Sequence, residues 1–390
     1  MFFRKVVRVW YTLSMVRASP LRKASLSLIG TIIGAGIFGL PAIFVRVGFW
    51  PGTALFVLLT LVVLATHLLY AEVCLAFRQK MRLTGYAGRE LGRAGFLIAS
   101  ITHPLQIVGS NLIYLVLGGE FLASLALVLF RLTVDPIVFS VVLFVVTALI
   151  VLVGLRFMAR VESSATWLLI ASMVFAIVLL SFSTRHATPL PSHWPLFIFP
   201  FGAFLFSLSG FPVIAEIVEI AERNRHRTYL AIIIGTLVAA WLSWMFGMGV
   251  ALFSNGRSTL DPGTLASILP VAWGWMIPLV GILAVLTSYV TTAQELKSTV
   301  RFDFHLRREA AWAVAVLVPF VCLFFVSRDL ITMIGWVGTI FGGINGTLIA
   351  VISYRVLSRQ PHVKHWLTSL AFFVAVAYGV GMILSITSRL

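Results

Sequence analysis

Apolar residues run through this chain in long blocks, broken by short stretches rich in Arg, Lys, Gly and Pro, with no sustained period of two that would mark strands. Crossing a hydrocarbon core of about 30 Å takes roughly 20 helical residues. Blocks of about that length fall at 25–46, 51–77, 95–130, 136–154, 159–182, 195–221, 229–253, 272–296, 310–326, 329–354 and 366–387. The pattern predicts an all-α polytopic membrane protein with about eleven crossings and leaves no sizeable soluble domain.

Composition agrees: of 390 residues, 60% are hydrophobic and 11% charged, against roughly 25% charged in soluble domains. The net charge of +16 raises the question of nucleic acid, and the distribution of charge answers it. With the N-terminus inside, all Lys and Arg except Arg46, Arg131, Arg185, Arg257, Arg328 and Arg389 fall on one side. That asymmetry is the positive-inside signal, so the surplus reads as topology and no nucleic-acid partner is needed. It places the chain in the inner, cytoplasmic membrane with an internal N-terminus and an external C-terminus. Residues 1–24 scatter basic among apolar positions and lack the separate charged and apolar regions of a signal peptide. They read as a retained basic arm on anionic lipid.

Residues 30–41, GTIIGAGIFGLP, contain the spacing of a dinucleotide loop at Gly34, Gly36 and Gly39. Such a loop follows a strand and is followed about 20 residues later by an acidic residue. No acidic residue precedes Glu72 here, and the flanks belong to one membrane-length block. Glycine and proline crowded at that depth weaken the helix. Unwound backbone is tolerated in a bilayer only where protein or a watery cavity satisfies it. A break therefore predicts a cavity faced by carbonyls of Thr31 to Ile33 and amides of Ala35 to Ile37. Carbonyl ends attract cations and amide ends anions, the two needs of a zwitterion.

Transporters built from inverted repeats carry a matching break in the corresponding helix of the second half. The sixth block supplies one in Ser207-Leu208-Ser209-Gly210-Phe211-Pro212. Five crossings separate the two, an odd number, so they enter from opposite sides. The expected organisation is a ten-helix core over 25–355, with repeats at about 25–182 and 195–355, followed by an additional helix at 366–387.

GTIIGAGIFGLP and FSLSGFPVI together resemble the first- and sixth-helix signatures of the amino acid-polyamine-organocation superfamily, close to its amino acid and aromatic amino acid permease branches. The resemblance implies the five-plus-five inverted-repeat fold of the bacterial leucine transporter and secondary amino acid transport by alternating access. Carried over, the substrate carboxylate meets the amides of Ala35, Gly36 and Ile37, with Gly34 in the same turn. The ammonium meets carbonyls of Thr31, Ile32, Ser207 and Leu208. Ser209 lies where a hydroxyl assists, and Phe206 and Phe211 lie where aromatic walls stand. Tyr114 of the third span, a helix that lines the cavity in related transporters, is a further candidate.

In the eighth span Ala284, Thr287 and Ser288 share a helix face. In sodium-coupled relatives this pattern gives one carbonyl and two hydroxyls to Na+, completed by first-helix carbonyls, here Gly30 and Ile33. Oxygen donors suit a hard alkali cation, while small hydroxyl residues also serve helix packing. Coupling to Na+ or to H+ stays open at this level. The lysine that some proton-coupled members place in the fifth helix is absent from 161–182. No cofactor beyond that cation is implied.

Ionisable residues at membrane depth are functional candidates by default. Glu72 reads either as a proton relay or as half of an ion pair with inner basic residues. His67 reads as a hydrogen-bonded packing residue, and Glu216, Glu219 and Glu295 as pairing or inner-gate groups. Catalytic signatures such as a nucleophile elbow or a P-loop lysine are lacking, so a polytopic enzyme is the weaker reading. A transporter-like amino acid sensor or an uncoupled exchanger would use the same binding residues. The expected cargo is a neutral, hydrophobic or aromatic amino acid.

Overall fold

The computed structural model describes residues 19–153, 155–181, 189–253, 273–325, 329–359 and 365–388. The basic arm is thus outside the described residues up to position 18. Among the described residues every regular element is helical. In chain order they are α1 (Pro20–Ile32), α2 (Gly36–Val47), α3 (Phe49–Ala76), α4 (Leu83–Phe130), α5 (Pro136–Val153), α6 (Leu155–Ser181), α7 (Phe201–Leu208), α8 (Phe211–Ile220) and α9 (Arg225–Phe253). There follow α10 (Met276–Phe302), α11 (Arg308–Cys322), α12 (Leu330–Trp336), a π-helical turn at Val337–Gly342, α13 (Gly343–Ser358) and α14 (His365–Thr387).

Eight described helices are long and apolar enough to cross a membrane, counting α7 with α8 and α12 with α13 as single spans, and the bent pair α1 and α2 adds a ninth. The fifth expected crossing is represented by the shorter apolar stretch Ala165–Leu179, and the ninth by α11 with 15 residues. Helix α6 itself runs over 27 residues, and the described residues account for eight or nine of the eleven expected crossings. The third span also differs from expectation. Its helix starts at Leu83, and Gly92, at φ 71°, turns a short lead-in segment away from the membrane-crossing part. A positive φ is open to glycine and strained for other residues.

Both expected breaks are present. The first chain break, Ile33 to Ala35, bends α2 away from α1 by 54°. The second lies at Ser209 and Gly210. Pro212 falls in the first turn of α8, where its missing N–H is no loss. At the centre of the bundle α1 packs on α9 and α4 packs on α10. Phe38, Phe121 and Phe246 fill the core beside α2, with ring centroids 4.5 and 5.6 Å from Phe38.

Helices associate in lipid through close packing, because water does not drive them together. Two glycines bring α7 against the π-helical turn: a Cβ on Gly202 would lie 2.2 Å from the Gly335 carbonyl oxygen, and one on Gly338 would lie 1.8 Å from the Gly202 carbonyl oxygen. At the rim, α5 buries only Ser140, Leu143, Thr147, Ala148 and Val151, a single stripe at helical spacing. Its other positions, such as Val142, Val145 and Leu149, turn apolar side chains outward, as a lipid-facing helix requires.

Candidate substrate and cation site

The first break leaves few backbone groups free. The Gly34 amide donates to the Ile32 carbonyl at 2.9 Å, Ile37 to Gly34 at 3.3 Å, and Phe38 to Ala35 at 3.2 Å. Of the three amides expected to face an anion, Ile37 is therefore engaged within the turn. Ala35 and Gly36, at the start of α2, show no such turn bond among the described residues. Ile32 likewise has its carbonyl taken by the turn, whereas that of Thr31 accepts from the Ser288 hydroxyl at 3.3 Å. The Thr31 hydroxyl turns back to Ser27.

The second broken helix meets the first at Gly36. A Cβ there would lie 2.6 Å from the Ser207 hydroxyl and 3.0 Å from the Phe206 ring. Gly34 faces Ser288 and Tyr114 in the same way, with 2.7 and 3.1 Å to their hydroxyl oxygens. The Tyr114 and Phe206 rings stand 6.4 Å apart. Gly34, Gly36, Tyr114, Phe206, Ser207 and Ser288 are thus gathered around one point. Leu208 is fully buried and Ser209 half-buried at the break. Phe211 packs its ring against His103, 5.8 Å away.

Beside this point four oxygens converge. The Gly30 carbonyl accepts from Ser288 at 3.1 Å and from Thr287 at 3.4 Å, and Thr287 also lies 3.1 Å from the Ala284 carbonyl. The donors are neutral oxygens on α1 and α10, a set that suits an alkali cation. The Ile33 residue expected with them is fully buried at the end of α1. One neighbour escaped the sequence reading. Thr166 on α6 is fully buried, its hydroxyl has no hydrogen-bond partner, and it lies where a Cβ on Gly30 would come within 2.4 Å.

His67 is hydrogen-bonded and packed, as the sequence predicts, and the fold supplies its partners. Its Nε2 accepts from the Gly210 amide at 3.0 Å and its Nδ1 lies 3.0 Å from the Thr236 hydroxyl. Accepting at Nε2 puts the proton on Nδ1, so the ring is a neutral bridge holding the second break to α9.

At the end of the bundle that carries the basic loops, Glu72 is paired with Arg225 Nε at 2.7 Å and accepts from the Tyr229 hydroxyl at 2.7 Å. This is the ion-pair geometry, with Arg225 as partner. Glu295 pairs with Arg82, 2.7 Å away and equally buried, while Lys297 turns to the Val151 carbonyl. Glu219 pairs with Lys80. Asp303, just beyond α10, accepts the amides of Arg82 and Gly85 at 3.0 and 2.8 Å. Burial raises its pKa, against the lowering effect of those two amides. Burial opposes the Arg82 charge, but Glu295 outweighs it and the pKa is raised.

A family model described as the tryptophan/tyrosine permease family matches residues 19–388. Among solved structures, the chain is similar to Mhp1, a nucleobase-cation-symport-1 family transporter in a closed conformation with bromovinylhydantoin bound. The TM-score is 0.62 at 14% identity, over 95% of this chain and 89% of that one. It is also similar to MhsT in complex with L-phenylalanine, with a TM-score of 0.66 at 14% identity over 93% of this chain and 98% of that one. Likeness of this degree establishes the shared transporter fold. Comparison with curated protein sequences gives no match.

Proposed function

We propose that the protein, which belongs to the tryptophan/tyrosine permease family and is a secondary transporter of amino acids, carries a neutral aromatic amino acid into the cell together with a cation. The observation that carries this reading is the meeting of the two helix breaks at Gly36 and Ser207. The free amides of Ala35 and Gly36, at a helix start, form the carboxylate seat. Carbonyls of Thr31, Ser207 and Leu208 take the ammonium. Tyr114 and Phe206 flank the side chain, and aromatic faces suit a large apolar cargo. The similar MhsT structure holds L-phenylalanine, which supports a cargo of this size.

The cation of this reading is sodium, carried as co-substrate on oxygens of Gly30, Ile33, Ala284, Thr287 and Ser288. Because Ser288 contacts both Gly30 and Thr31, occupancy of the cation seat fixes the carbonyl end of the break. Substrate and ion then bind in mutual support, a coupling that is reciprocal by thermodynamic necessity. In this reading the end bearing Arg82, Arg223 and Arg225 faces the cytoplasm, which the positive-inside bias of the loops supports.

The test is uptake into proteoliposomes of a panel of labelled amino acids under separately imposed Na+ and H+ gradients. Accumulation of aromatic amino acids under a Na+ gradient is expected. Accumulation under an H+ gradient alone would remove sodium from the account, and accumulation under neither would remove symport.

A further inference from the structure

Beneath the proposed substrate site, α4 and α10 are joined by a ladder of polar pairs. Near the break, Tyr114 and Ser288 flank Gly34. One turn further, Thr292 donates to Asn111 Oδ1 at 2.5 Å, and the Asn111 amide nitrogen is buried without a partner. The ladder ends on three buried groups. Glu295 Oε2 lies 2.7 Å from Arg82 Nε, and Glu295 Oε1 lies 3.6 Å from His103 Nε2. Thr299 lies 3.3 Å from the same His103 nitrogen.

Two features mark this trio as unfinished. The Arg82 Nε, though close to the carboxylate, makes no aligned hydrogen bond, and His103 Nδ1 is buried with no partner at all. A buried group with spare donor or acceptor capacity is costly, and at membrane depth it signals function. His103 is 1% exposed. On its far side it touches Phe211, the first residue after the second break. On the other side of the trio, Arg82 helps line a cavity of about 210 Å3 with Cys74, Arg78, Lys80, Glu219 and Arg223 at the basic end.

We propose that His103 and Glu295 form a proton-binding site whose occupancy releases Arg82 and opens the basic end of the protein. With His103 neutral, Arg82 is the one cation paired with Glu295 among the described residues and pins the α3–α4 link to α10, helped by Asp303, which holds the same link by its amides. A proton taken up on the imidazole makes a second cation compete for one carboxylate. Glu295 then turns its charge to His103 through Oε1, and Arg82 moves to the cavity it already borders. No covalent bond changes; one proton is bound from the cavity and returned there.

The other charged and titratable groups around the trio are accounted for. Asp303 sits on α10's own end, Glu216 on α8 faces Arg82 and Glu295, and Tyr70 and Cys74 on α3 and Tyr86 on α4 lie on the same side. Glu219 is held by Lys80. Lys297 on α10 turns to Val151, and Arg301 and Arg308 lie beyond it on α10 and α11. Among the described groups facing Glu295, His103 is the imidazole. The proposal rests on the transport reading only in that opening this end delivers the cargo, and it holds whichever cation drives uptake.

The chain carries its own reporter. Its two cysteines are Cys74 and Cys322, so Cys322→Ser leaves Cys74 in the cavity wall. The experiment follows alkylation of Cys74 by a hydrophilic maleimide in the purified full-length protein between about pH 8 and about pH 6, a range that brackets imidazole titration. Thiolate chemistry alone slows the reaction about tenfold per pH unit. With His103 intact, opening on protonation is expected to offset that decline by about tenfold or more relative to His103→Gln. The Arg82→Gln/Glu295→Gln double variant, which removes the latch without stranding a charge, is expected to label fast at every pH. Parallel pH profiles for wild type and His103→Gln, or slow labelling of the double variant, would overturn the proposal. Labelling needs no amino acid flux, so a pH-dependent opening without uptake would refute the transport reading and leave the proton site standing.

Discussion

Gly36 lies so close to Ser207 that a β-carbon on it would stand 2.6 Å from the serine hydroxyl and 2.7 Å from its Cα. The two broken helices therefore touch at the residue where the proposed carboxylate seat begins. Gly36→Ala is expected to force the breaks apart and to weaken tryptophan binding by about tenfold or more, as loss of positioning costs in related settings. Equilibrium binding to the purified variant checks this, with thermal unfolding to show that the fold survives. Unchanged affinity would remove the first break from the site.

At the cation seat, Thr287 and Ser288 reach the Gly30 carbonyl. Replacing both hydroxyls by Ala leaves two carbonyls without donors and deletes two of the proposed ligands. The expected result is a rise of about tenfold or more in the Na+ concentration needed for half-maximal uptake, with a smaller change in amino acid affinity at saturating Na+, as reciprocal coupling requires. Flux measured against Na+ concentration is the readout.

Gly30 and Thr166 form a second contact whose logic is steric. Gly30→Ala places a methyl 2.4 Å from the Thr166 hydroxyl and is expected to destabilise the protein by about 1–3 kcal/mol, as overpacking does. Thr166→Ala in the same chain removes the obstructing atoms and restores most of that loss. Urea or thermal unfolding of the four proteins of the cycle measures the interaction.

His67 bridges the Gly210 amide and Thr236. His67→Leu leaves that amide buried and unpaired, a loss of about 1–3 kcal/mol. The second break is then expected to loosen, seen as lower thermal stability and weaker substrate binding together. His67→Gln, which can accept the same amide, should recover part of both.

Glu72 separates a relay from a pair. In its contacts with Arg225 and Tyr229 it acts as an anchor, so Glu72→Gln is expected to lower stability while the ratio of cation to amino acid transported stays as in the wild type. A changed ratio would restore the relay role that the sequence left open.

The all-helical architecture, the two breaks and the meeting of Gly30 with Thr287 and Ser288 were legible in the chain. Each rests on a local rule, glycine and proline against helix or small residues at i, i+3 and i+4, together with a resemblance that fixed which helices meet. What spacing could not supply were pairs separated by long stretches of sequence. Glu295 stands two residues from Lys297, yet it pairs with Arg82 because α10 turns Lys297 to the opposite side. Likewise His67 read as packing, and only the fold puts Gly210 against its Nε2. Ile37 shows the limit of counting amides at a break, since its own turn takes the hydrogen bond.

The central claim is that the break in α1 and α2 holds a carboxylate while the carbonyls of Thr31, Ser207 and Leu208 hold an ammonium. Competition against labelled L-tryptophan on the purified protein, with tryptamine lacking the carboxylate and indole-3-propionate lacking the ammonium, tests both halves at once. Both analogues are expected to compete about a hundredfold more weakly than tryptophan, or worse, because each strands groups built to be hydrogen-bonded. If either analogue competes as well as tryptophan, that half of the site is not where this account places it.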